Sequence, residues 1–126
     1  METLIERVGV PVVLCEGPGA SIGGPQDALD LIGAAFGRAD TVAVAAQRLD
    51  ERFFRLSSGL AGEIMQKFVN YRIRLAVVGD ISAHVAASDA LRDLVRESNK
   101  GDHVWFVPTL DDLDAMLLRR AGRTSS

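Results

Sequence analysis

The chain has 126 residues, 48% hydrophobic and 25% charged, a profile that suits one globular domain burying about two-thirds of its unfolded surface. Its 17 acidic and 14 basic side chains leave a net charge of -3, which excludes a global attraction to nucleic acid or anionic lipid. No apolar run approaches the roughly 18 residues of a membrane span, and one cysteine with two histidines excludes a standard structural zinc site.

Charges in Met1 to Arg7 interrupt the apolar core that a secretory signal would need, so a soluble, cytoplasmic protein is expected. Leu4 to Val8 and Val10 to Cys15 are short β-type runs around Gly9 and predict a tight hairpin. Cys15 lies in an apolar run and reads as a buried thiol in a reducing compartment. Gly17 to Gly24 reads as a flexible loop. It fails the dinucleotide pattern at Ile22, and Pro25 stands where a phosphate loop needs lysine, so no cofactor is expected.

Pro25 opens a helix whose apolar face comprises Ala28, Leu29, Leu31, Ile32, Ala35 and Phe36, with Gly37 as its stop. Thr41 to Ala46 is a central strand, followed by an irregular charged connection from Gln47 to Leu56. Leu60, Ile64, Phe68 and Tyr71 recur at helical spacing, and Leu75 to Val78 is apolar throughout, as a strand covered on both faces should be. Ser88 is placed to cap a helix over Ala90 to Ser98, and Val104 to Val107 is the last strand. Thr109 and Asp112 have capping-box spacing before a final helix with Leu110, Leu113, Met116 and Leu117 on its apolar side. The domain is expected over residues 1–120, with 121–126 as a disordered tail. The order β-β-α-β-α-β-α-β-α predicts a mixed, mostly parallel sheet flanked by helices.

That order, the turn Ser57-Ser58-Gly59-Leu60 and the closing Val-Pro-Thr-Leu-Asp-Asp-Leu resemble the STAS domain of anti-sigma-factor antagonists. Ser58 to Arg72, Ala76 to Asp80 and Glu97 to Gly101 resemble more specifically a bacterial domain-of-unknown-function family, family 4180. The STAS resemblance implies a non-enzymatic regulatory module with a protein partner. It also implies that Ser58, beside Ser57 and Gly59, is the serine a partner kinase would phosphorylate. Leu56 stands where those antagonists carry an aspartate.

From the residues alone, hydroxyls at a helix entrance meet backbone donors and the positive end of the dipole, which suits an anion. Simple capping by Ser57 or Ser58, contributing about 1 kcal/mol, explains the same residues. Arg48, Arg52 and Arg55 on the preceding connection would add a basic rim for an anionic ligand. The strand C-terminal end should gather Ser21, Arg55, Ser57, Ser58, Asp80, Ser82 and His84. A small-molecule site, or a cryptic hydrolase built on Ser58, His84 and Asp80, is therefore the alternative function, although a G-x-S-x-G elbow is absent. The opposite end collects Asn70, Tyr71, Arg72 and Arg74 with Glu97, Asn99 and Lys100, a second polar surface or ordinary helix C-caps. Helical faces pairing in a homo-oligomer are a further expectation.

Overall fold

A computed structural model describes residues 2–124. Strands β1 (Glu2–Arg7) and β2 (Val10–Cys15) form a hairpin, followed by α1 (Pro25–Ala35) and β3 (Thr41–Ala45). Three 3-10 turns (Ala46–Arg48, Glu51–Phe54, Leu56–Ser58) lead into α2 (Leu60–Asn70) and β4 (Arg74–Val78). Helices α3 (Ser82–Ala87) and α4 (Asp89–Lys100), β5 (Val104–Val107) and α5 (Leu110–Thr124) complete the chain. The sheet order is β1-β2-β3-β4-β5, antiparallel at the hairpin and parallel elsewhere. This is the mixed α/β architecture expected from the alternation of elements.

Parallel neighbours in sequential order need crossovers that all step the same way, and crossovers of one hand put their helices on one face. Strand residues alternate accordingly. Val13, Val42, Val44, Leu75, Val77 and Phe106 pack under Leu31, Ile64, Phe68 and Leu91 of α1, α2 and α4. The intervening Val12, Leu14, Ala43, Ala76 and Trp105 pack under Leu113 and Leu117 of α5. Arg7 Nε and Nη2 grip the Asp114 carboxylate at 2.8 and 2.7 Å, tying the hairpin to α5 across this second face.

Several expectations are corrected. Phe36 and Tyr71 are 66% and 50% exposed, because each is a helix C-cap where the chain has left the helical phase. The stretch after β4 holds a short helix that was not expected, started by Asp80 Oδ1, which accepts from the Ser82 N–H at 2.9 Å. Helix α5 continues through Thr124, past the boundary at which a tail was expected; residues 125–126 lie outside the described residues. Ser88 caps α4 as expected, its Oγ accepting from the Leu91 N–H, and Thr109 Oγ accepts from the Asp112 N–H at the start of α5.

Candidate functional site

The connection from β3 to α2 is anchored by two adjacent aromatics. Phe53 and Phe54 are both buried and pack edge-to-face with centroids 5.3 Å apart, which draws the charged segment down onto the sheet. Asp50 caps the middle turn, accepting from the side chain and backbone N–H of Arg52, and these bonds hold its carboxyl below the ordinary range.

These turns take up part of the donor set at the entrance of α2. The Ser58 and Gly59 N–H groups donate to Arg55 and Leu56 carbonyls, and the Leu60 N–H donates to Ser58 Oγ at 3.2 Å. Ser58 Oγ in turn donates to the Arg52 carbonyl at 2.6 Å. Gly59 closes the last turn at φ +80°, a conformation that favours glycine. Ser58 is thus a structural hydroxyl, whereas exposed Ser57 makes no hydrogen bond through its side chain among the described residues.

The three arginines do not form one rim. Arg48 reaches across the chain to the Glu16 and Ala20 carbonyls, and the absent side chain of Gly19 makes room, since a Cβ there would lie 3.0 Å from the guanidinium carbon. Arg52 holds Asp50 and the Gly23 carbonyl. With Ile22 also bridging Leu49, the glycine loop is strapped to the β3–α2 connection rather than flexible. Arg55 alone of the three lines the adjoining cleft, about 570 Å³ in volume, together with Glu51, Leu56 and Ser57. His84 of α3 forms its other wall, stacked on Phe54 with ring centroids 4.3 Å apart.

Ser58, His84 and Asp80 are not brought into a hydrogen-bonded array among the described residues: Ser58 faces Arg52, Asp80 caps α3 and His84 stacks on Phe54. Burial pushes the Cys15 thiol up, away from thiolate reactivity. No group of three or more His, Cys, Asp or Glu side chains suited to a metal occurs among the described residues. Nor is any helix there long and apolar enough to cross a membrane.

The second polar surface divides in two. Asn70 accepts from Gln66, Tyr71 projects outward and Arg72 holds a left-handed φ of +58° at the sheet's strand-start end. Glu97 pairs with Lys100, and Asn99 bonds the backbone of Phe106 on β5. Sequence reasoning missed this Asn99 contact and the placement of Arg74 over Trp105; an arginine opening an otherwise apolar strand was the available signal for the latter.

A five-stranded α/β sheet with one face under the crossover helices α1 to α4 and the other under α5 defines the class of protein. The chain belongs to the family described as a domain of unknown function (DUF4180), whose model matches residues 7–117. The match runs from the last residue of β1 to Leu117 in α5. Comparison with curated proteins finds no match, and comparison with solved structures finds none either.

Proposed function

We propose that this is a non-enzymatic regulatory module of STAS-like architecture, bacterial and cytoplasmic, that receives a protein partner in the cleft between the 3-10 segment and α3. One observation carries the reading: Ser57 presents an uncommitted hydroxyl beside Arg55 and the Phe54–His84 stack, while its neighbour Ser58 is held by the backbone. An aromatic stack flanked by an arginine suits a protein contact. Glu51 and Arg55 give the cleft both signs of charge, so a phosphate on Ser57, adding about -1.5 to -2, would turn it acidic and switch partner binding. Phosphate on Ser58 would remove the donor to Arg52 and set an oxyanion against that carbonyl. Ser57 therefore takes the role that the family resemblance assigned to Ser58.

The test compares proteins co-purified with the parent, Ser57→Asp, Arg55→Ala and Ser58→Ala chains. Loss of the same partner from the first two variants, with retention by Ser58→Ala, is expected. Identical recovery by all four would refute the reading.

A further inference from the structure

At the other end of the sheet a second cleft, about 650 Å³, opens between α5 and the starts of β3, β4 and β5. Arg74 is the first residue of β4, and its side chain lies on the α5 face, where its guanidinium sits 4.2 Å over the Trp105 ring. Nε donates to the Asp102 carbonyl at 2.8 Å and Nη1 to Thr41 Oγ at 3.1 Å. Thr41 is fully buried, so this end of the guanidinium is fixed.

Among the described residues, the hydrogen-bond partners of the Arg74 cation are neutral. No carboxylate oxygen comes within 4.0 Å of it among the described residues, and Nη2 has no acceptor there. Burial, then the like charge of Arg120, pull the Arg74 pKa down to about 10, against the weaker opposing pull of Asp102 and Asp40. A half-buried guanidinium stacked on an aromatic and facing another arginine is poorly compensated. Arg72 joins them on the lining, so among the described lining residues three guanidinium groups stand beside the carboxylates of Asp40 and Asp102, with Arg120 Nε 3.9 Å from Asp102 Oδ1. Val10, Val69, Ile73 and Leu117 supply apolar walls.

We propose that this cleft binds a small organic oxyanion, a carboxylate or phosphate group on a short apolar body, through Arg74 and Arg120. The N–H groups on the outer edge of the Arg74 guanidinium suit paired acceptor oxygens, and Trp105 fixes the plane in which they are offered. The apolar body lies against the valine, isoleucine and leucine walls. This site is separate from the Ser57 cleft and stands whether or not that cleft binds a protein.

Trp105 is the chain's one tryptophan, so intrinsic fluorescence reports on the site directly. The full chain is titrated with acetate, butyrate and inorganic phosphate at constant ionic strength, with chloride as the balancing anion. A saturable change is expected for at least one probe. Butyrate exceeding acetate assigns a carboxylate ligand with an apolar body, and phosphate exceeding both assigns a phosphate ester. Arg74→Met and Arg120→Gln should each weaken binding by about tenfold or more, equivalent to about 1.4 kcal/mol. Arg55→Ala should leave it unchanged. Thermal stabilisation by the same probes supplies a second readout, and Arg120→Gln keeps the test open if Arg74→Met does not fold. A response absent for every probe, or unaltered in both variants, overturns the proposal.

Discussion

Asn99 holds Phe106 by both ends of its side-chain amide: Nδ2 donates to the Phe106 carbonyl at 3.0 Å, and the Phe106 N–H donates to Oδ1 at 2.8 Å. β5 is an edge of the sheet, and this pair of bonds reproduces at one residue what a further strand would offer. The last turn of α4 thereby covers the edge at Phe106, one of the positions at which a further strand could pair.

Asn99→Ala should cost about 1–3 kcal/mol, since two backbone groups of a buried residue lose their partners together. Urea unfolding measures the loss, and the Phe106 amide should exchange faster with solvent. An unchanged midpoint would mean that water replaces the amide without penalty.

The β1–β2 hairpin turns through Val8 and Gly9, both at positive φ (+45° and +80°), the conformation of a type I′ turn. Glycine suits it, but a β-branched residue is strained there by about 1–2 kcal/mol. Val8 is 43% exposed and contributes little packing. Val8→Asn should therefore raise the melting temperature by a few degrees, read by calorimetry. A fall would show that the Val8 side chain matters more than its backbone.

Ser57 and Ser58 should separate in stability as they do in geometry. Ser58→Ala removes an acceptor for the Leu60 N–H and a donor to Arg52, and should destabilise by about 1 kcal/mol. Ser57→Ala should stay within about 0.5 kcal/mol of the parent, as an exposed hydroxyl without partners does. Equal losses in chemical denaturation would contradict this division of roles.

Asp50 and Asp80 supply the pH dependence. The Arg52 side chain, then its backbone, lowers Asp50; the Ser82 hydroxyl, then its N–H, lowers Asp80. A carboxyl whose folded pKa lies below its ordinary value of 3.8 stabilises the fold above that value and loses the contribution as pH falls through the folded pKa. Asp80→Asn should accordingly melt lower than the parent at pH 6, and the gap should narrow as the solution is acidified below about pH 3.8. A gap that widens in acid would reverse the sign and refute this cause.

Much of the fold was legible because its signals are local. The alternation of Val12, Val13 and Leu14 between two cores, the continuous apolar run at Leu75–Val78 and the caps at Ser88 and Thr109 follow from side-chain periodicity and short-range hydrogen bonding. Helix α3 was not legible, because six residues started by an aspartate turn are too short to show a period. The site was read less well. Arg48 and Arg52 look like surface charge in a list of residues, yet the carbonyls they bond lie about thirty positions away, and only the folded sheet brings the glycine loop to them. Ser58 carried the more familiar pattern, and the 3-10 turns that occupy it were invisible in a segment without periodicity.

Partner contact through the Ser57 cleft is tested most directly by placing a photo-crosslinking residue at Ala87, on the wall opposite Ser57, in the full chain expressed in cells. The predicted result is a discrete protein adduct that disappears when Arg55→Ala and His84→Ala are added and persists with Ser58→Ala. An absence of any adduct, or one equally strong in the Arg55→Ala, His84→Ala background, would contradict it.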